Sequence, residues 1–219
     1  MSNIGYIRER LAQDVFDYQA LLDCLQEYRK PRDRIQRLVA GGDIVRIRKG
    51  LYAFAAPFRR QPVVREYLAN LLYGPSYVSL DSALSYHGLI PERVEAVTSV
   101  TTGRSRSFDT PFGVFSYRML TPGRYAVGAL LVADGASAFL LASPEKALVD
   151  KVWTDARFAG KRVGDYGPYL LEDLRIAPEA LRALDAERLE VICQAYDSPK
   201  IGNLQRFLRG RWDADGDNV

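Results

Sequence analysis

Pro31-Arg32-Asp33-Arg34-Ile35-Gln36-Arg37-Leu38-Val39-Ala40-Gly41-Gly42, running on into Asp43-Ile44-Val45-Arg46-Ile47-Arg48-Lys49-Gly50-Leu51-Tyr52-Ala53-Phe54, is the stretch on which the fold turns. Proline suits the first position of a helix, where its missing N–H has no partner to lose. Ile35, Leu38 and Val39 then recur at helical spacing until the Gly41-Gly42 pair stops the helix. After Asp43 the apolar spacing becomes strand-like. Residues 44–48 and 51–54 flank a tight Lys49-Gly50 turn, which predicts a two-stranded hairpin.

A short basic helix that passes straight into a basic hairpin has the parts, in order, of a winged helix-turn-helix. On a helical wheel Ile35, Leu38 and Val39 centre on one direction, leaving Asp33 and Arg37 opposite them and Arg34 and Gln36 on the flanks. Arg34, Gln36 and Arg37 carry donors that match base edges. Lys30, Arg32, Arg46, Arg48 and Lys49 read as phosphate contacts that set register. Asp33 could accept from a cytosine amine, but pairing with Arg37 four residues on is the stronger reading.

The flanking sequence supplies the rest of such a unit. Ile4, Ile7 and Leu11 share a face over residues 4–12. Asp17 stands as the N-cap of a following helix, with Phe16 and Leu21 as a hydrophobic staple and Tyr18, Leu21, Leu22 and Leu25 carrying the helix to about residue 28. Charge is concentrated in the same region. Residues 1–60 hold 12 Lys/Arg against 7 Asp/Glu, whereas residues 61–219 hold 18 against 20, so the overall charge of +3 hides a basic first quarter that would draw a polyanion.

Gln61-Pro62 marks a boundary, giving a winged helix-turn-helix over residues 1–60, an α+β domain over 61–211 and an acidic, flexible tail over 212–219. Within the second domain the pattern predicts helices over 63–73 and 81–87 around a strand at 76–80. A meander of about four strands follows over 94–141, punctuated by Pro111 to Gly113, Pro122-Gly123 and Asp134-Gly135. Ser143 caps a helix begun by Pro144, and further helices follow near 170–174, 178–184, 185–196 and 200–209. The fold class is α+β, with a mainly antiparallel sheet in the second domain.

Other chemistries find little purchase. No stretch approaches the ~18 consecutive apolar residues of a membrane span, and the first ten residues lack a secretion signal's apolar centre, so the chain is expected in the cytoplasm. Cys24 and Cys193 lie far apart in apolar helical patterns and read as core residues. His87 is the single histidine and sits before Gly88 as a helix-end residue. No catalytic residues, metal site or cofactor are assigned, and no phosphate-cradling glycine loop is present. Glu145 and Lys146, beside Asp81 or Asp150, offer the alternative of a metal-dependent nuclease, although Pro144-Glu145-Lys146 is also the first turn of a helix.

The run Leu38-Val39-Ala40-Gly41-Gly42-Asp43-Ile44-Val45-Arg46-Ile47-Arg48-Lys49-Gly50-Leu51-Tyr52 resembles the end of the N-terminal domain in the AbiEi family of type IV antitoxins. Tyr77-Val78-Ser79-Leu80-Asp81-Ser82-Ala83-Leu84 with His87-Gly88-Leu89, and Leu141-Ala142-Ser143-Pro144-Glu145-Lys146-Ala147-Leu148-Val149-Asp150, are similar to that family's C-terminal domain. The likeness covers roughly residues 14–155 in the same order. It implies a regulator that represses its own operon at double-stranded operator DNA, an inverted repeat, and opposes a nucleotidyltransferase-type toxin without a stable complex. The start of the recognition helix, Arg29-Lys30-Pro31-Arg32, departs from the family's Ser/Thr-rich start. The runner-up within regulation is a winged-helix repressor whose second domain senses a ligand.

Overall fold

The computed structural model describes residues 3–135 and 137–216, with side chains for 4–135 and 137–210. It is a mixed α+β fold with a three-stranded antiparallel sheet and a six-stranded mixed sheet. The first sixty residues form α1 (Asn3–Arg10), β1 (Val15–Asp17), α2 (Tyr18–Asp23), α3 (Pro31–Ala40), β2 (Ile44–Arg48) and β3 (Leu51–Phe54). Asp17 caps α2 as expected, its carboxylate accepting from the Ala20 N–H at 2.7 Å. Helix α2 is shorter than the periodicity predicts. After Asp23 the backbone bonds tighten to three-residue spacing, Leu25 to Leu22 and Tyr28 to Leu25, so Leu25 is buried from a turn.

The expected hairpin gains a third strand. Residues 15–17 pair with β3, Val15 opposite Ala53 and Asp17 opposite Leu51, which makes β3 the central strand in the order β1-β3-β2. All four β3 residues are buried, and strand alternation divides them. Tyr52 and Phe54, with Phe16 and Ile44, pack against Ile7, Leu21, Leu25, Ile35 and Leu38 of the helical side. The Phe16 and Phe54 rings lie 4.8 Å apart. Leu51 and Ala53, with Val15, belong instead to the core of the larger body that begins beyond residue 60. The expected boundary is a stitched seam: the Arg60 guanidinium donates to the carbonyls of Arg8, Leu11 and Ala12, and its backbone N–H to Asp14.

The larger body opens with α4 (Arg65–Leu72), β4 (Ser76–Val78) and α5 (Leu80–Tyr86). Five strands follow where about four were expected: β5 (Val97–Thr101), β6 (Arg106–Thr110), β7 (Gly113–Met119), β8 (Ala129–Asp134) and β9 (Ser137–Ala142), with α6 (Pro122–Tyr125) between β7 and β8. The sheet order is β6-β7-β5-β4-β9-β8. Three of its five pairings are antiparallel as expected, but the sheet is mixed, because each hairpin, β6–β7 and β8–β9, docks through its second strand. Strand β7 thus runs parallel to β5, and β9 parallel to β4. Turn residues specify the hairpins, but not which of their edges meets the rest of the sheet.

Helices then cover the sheet: α7 (Pro144–Thr154), α8 (Tyr166–Pro168) continuing into a π-helical turn at Tyr169–Asp173, α9 (Pro178–Arg182), α10 (Ala186–Tyr196) and α11 (Pro199–Gly216). The tail expected over 212–219 thus continues α11 to Gly216, and 217–219 lie outside the described residues. Both cysteines are buried and unpaired, Cys193 within α10 and Cys24 at the end of α2. His87 ends α5, with a ring nitrogen 2.8 Å from the Ala142 carbonyl oxygen. Among the described residues no helix is long and apolar enough to cross a membrane.

Helix α7 is buried nearly all round, including its charged residues. Lys146 reaches Asp150 Oδ1 at 2.7 Å, the Arg124 carbonyl at 2.7 Å and the Tyr196 hydroxyl at 2.6 Å. Ser79 and Tyr77 donate to the other oxygen of Asp150, at 2.6 and 3.2 Å, and Tyr196 also bonds Asp150. Burial pushes the Lys146 ammonium below the ordinary lysine pKa against the pull of Asp150, and pushes the Tyr77 and Tyr196 hydroxyls strongly upward. The cluster ties β4, α6, α7 and α10 together. Lys146→Met strands a buried carboxylate and is expected to cost about 3–5 kcal/mol in urea unfolding, with part of that loss recovered in Lys146→Met/Asp150→Asn.

Candidate nucleic-acid interface

Helix α3 begins at Pro31 with no side-chain cap from Lys30 and ends at Gly41. Ile35 and Leu38 are buried and Val39 half-buried, so the helix turns the inward face anticipated from its spacing. The outward arc carries Arg32, Asp33, Gln36 and Arg37, all exposed. Arg34 is half-buried on the side of the helix, its guanidinium 5.9 Å from the Tyr28 ring. That neighbour holds it towards the turn preceding α3 and away from the arc. Lys30 and Arg32, with Leu22, Pro31 and Asp33, line a shallow cleft of about 460 Å³ between α2 and the start of α3.

The hairpin presents Arg46, Arg48 and Lys49, also exposed, but the two arginines do not share a face. Register pairs Ile44 with Phe54, Val45 with Ala53 and Arg46 with Tyr52, then slips so that Arg48 stands opposite Leu51. The extra residue is a β-bulge. Arg46 therefore leaves the sheet on the side of Tyr52, where α3 packs. Arg48 leaves on the side of Leu51 and the larger body, close enough for its charge to act on the buried Tyr117 hydroxyl, whose pKa burial nonetheless raises. Unbroken alternation would have put both arginines on one face. No residue type in Arg46-Ile47-Arg48 announces the slip.

Among the described residues, Lys30, Arg32, Arg37, Arg46, Arg48 and Lys49 make no ion pair or side-chain hydrogen bond, and the anticipated Asp33–Arg37 pair does not form. Other arginines of the same unit are engaged: Arg8 pairs with Asp14 at 2.9 Å, Arg59 donates to the Phe54 carbonyl, and Arg60 holds α1. The unit thus separates structural cations from a set left to solvent on α3 and the adjoining turn.

Glu145 and Lys146 stand elsewhere, 2% and 0% exposed. Glu145 accepts from Ser143 Oγ and from the Asp185 N–H at the start of α10, with Arg188 3.6 Å away. Lys146 is committed to Asp150 and Tyr196. Both act as ties between α7 and α10, and among the described residues no three His, Cys, Asp or Glu side chains gather as a metal-holding group.

No family model matches the chain, and no curated protein matches it.

The link from α3 to β2 depends on Gly42, held at φ +74° with open space where a Cβ would stand. Gly42→Ala therefore meets backbone strain and no clash. The expected loss is roughly 1–2 kcal/mol of stability, read from urea unfolding.

Proposed function

We propose that this chain is a DNA-binding transcriptional autorepressor and antitoxin, with residues 1–60 acting as a winged helix-turn-helix, α3 as its recognition helix and β2–β3 as its wing. The observation that carries the reading is the set of unpaired, exposed cations on α3 and the hairpin turn beside it, within a unit that engages Arg8, Arg59 and Arg60 in its own fold. Lone surface charges of one sign gain little from their own protein. Against a duplex each cation that meets a phosphate releases condensed counterions.

In this reading Gln36 and Arg37, at the middle of the outward arc, reach base edges in the major groove. Arg32 and Lys30 at the start of the helix, with Arg46 and Lys49 of the wing, hold phosphates. Binding at the chain's own promoter occludes transcription, and an inverted-repeat operator seats two copies related by symmetry. The antitoxin role, the nucleotidyltransferase-type toxin it opposes without stable contact, and action in the cytoplasm rest on the resemblance of residues 14–155 to AbiEi antitoxins. A second reading, a repressor whose larger body senses a ligand, is favoured by a polar cleft in that body, taken up below.

Gel-shift titration on the DNA upstream of the chain's own gene tests the proposal. Arg37→Ala is expected to weaken specific binding by ~1–3 kcal/mol, and Lys49→Ala to weaken binding to every sequence while lowering the salt slope by ~1. Arg46→Ala is expected to cost more than Arg48→Ala, because the bulge turns Arg48 to the other face. Wild-type binding by both Arg37→Ala and Lys49→Ala would overturn the assigned surface.

A further inference from the structure

We propose that the larger body binds a phosphate-bearing small molecule in the cleft between the open face of β5–β7 and the facing ends of α5 and α7. The cleft has a volume of about 410 Å³, within the ~300–1,000 Å³ range of ligand pockets. It does not depend on the DNA-binding reading, since none of its residues lies in the first sixty.

The floor follows from strand register. Ser116 of β7 stands opposite Thr98 of β5, and Arg118, two residues along, leaves the sheet on the same side. Phe115 and Tyr117 point the other way, where the Tyr117 hydroxyl donates to the Ala69 carbonyl of α4. The walls come from α7 and the residues just after it. Lys151 Nζ lies 2.7 Å from Asp81 Oδ1 and 4.0 Å from Asp155 Oδ2, and Arg157 Nε lies 3.5 Å from Asp155 Oδ1. Leu80, which also lines the cleft, is held at φ +58°. A non-glycine residue in that conformation is the kind of strain that gathers at functional sites.

Charge decides the class of ligand. Three cations, Arg118, Lys151 and Arg157, face two carboxylates, and both carboxylates are already served. Lys151 holds Asp81. The Asp155 side chain is largely covered, which opposes ionisation, but the Arg157 backbone N–H, the Arg157 guanidinium, the Tyr169 hydroxyl and Lys151 together bring its pKa below the usual value. The Arg118 side chain makes no ion pair or hydrogen bond among the described residues, and neither does the Ser116 hydroxyl beside it. The Arg157 side chain is 90% exposed, with Nε 3.5 Å from Asp155 Oδ1.

Beyond the bonds that Lys151 and Arg157 make to Asp81 and Asp155, the Arg118 guanidinium, the Ser116 hydroxyl and the remaining N–H groups of Lys151 and Arg157 form a donor set that matches the several oxygens of a phosphate. The remaining volume accommodates the organic part of the molecule.

Isothermal titration of the full chain with ATP, with inorganic phosphate and with citrate tests this. Saturable binding of ATP or inorganic phosphate is expected, weakened ~tenfold or more in Arg118→Ala and reduced in Ser116→Ala. Arg46→Ala on the N-terminal face should bind as wild type. Arg118 is exposed, so its truncation leaves no void, and an unchanged urea midpoint verifies the fold. Binding of ATP alone would show that the site engages the organic part, and binding of both probes that it holds the phosphate group itself. The proposal is overturned if neither phosphate probe saturates, if Arg118→Ala binds as wild type, if Arg46→Ala is the variant that loses binding, or if citrate binds as tightly as ATP and inorganic phosphate. Because Arg118→Ala leaves the N-terminal cations intact, it should still shift operator DNA, which separates failure here from failure of the DNA-binding reading.

Discussion

Strand β3 has no solvent face, and the arrangement of the molecule follows from that. Each of its four residues must be covered, Tyr52 and Phe54 by the helices of the first sixty residues and Leu51 and Ala53 by the larger body. Burying an aromatic or aliphatic side chain contributes about 1.5–3 kcal/mol, so a strand covered on both sides is a strong joint between two groups of elements. It also sets which surface stays open. With one side of the three-stranded sheet committed to the larger body, the outward arc of α3 and the Lys49-Gly50 turn stay on the unit's solvent surface.

The larger body has its own joint, built from charge. Lys146 and Asp150, one helical turn apart on α7, are both removed from water and satisfied by Ser79, Tyr77, Tyr196 and the Arg124 carbonyl. A buried pair of this kind stabilises less than an apolar core of the same volume, but it tolerates no missing partner. Elements distant in sequence must therefore meet in one arrangement. The residues that most suggested catalysis, Glu145 and Lys146, are consumed in holding helices together.

The exposed charges follow the opposite logic. Arg8, Arg59 and Arg60 find carbonyls or a carboxylate within the fold, whereas the side chains of Arg32, Arg37, Arg46 and Arg48 find none among the described residues. In the larger body Arg118 is unpartnered in the same way, on a cleft floor beside hydroxyls. A folded chain gains little by displaying cations without counter-charges, and it is on these two sets that the proposed DNA-binding surface and the proposed phosphate site rest.

The amino-acid sequence by itself determined the local elements whose signals are carried by neighbouring residues. Pro31 and Gly41-Gly42 bound α3, Asp17 and Ser143 cap their helices, and Gly50 turns the hairpin, because caps and turns are settled by backbone conformation and bonds spanning three or four residues. Tertiary structure alone decided that residues 15–17 form a strand, that both hairpins dock in parallel through their second strands, and that a bulge sends Arg46 and Arg48 to opposite sides. It also decided which charges are buried and which are left free. Those outcomes depend on partners dozens of residues away, and neither periodicity nor charge records which distant surface a side chain will meet.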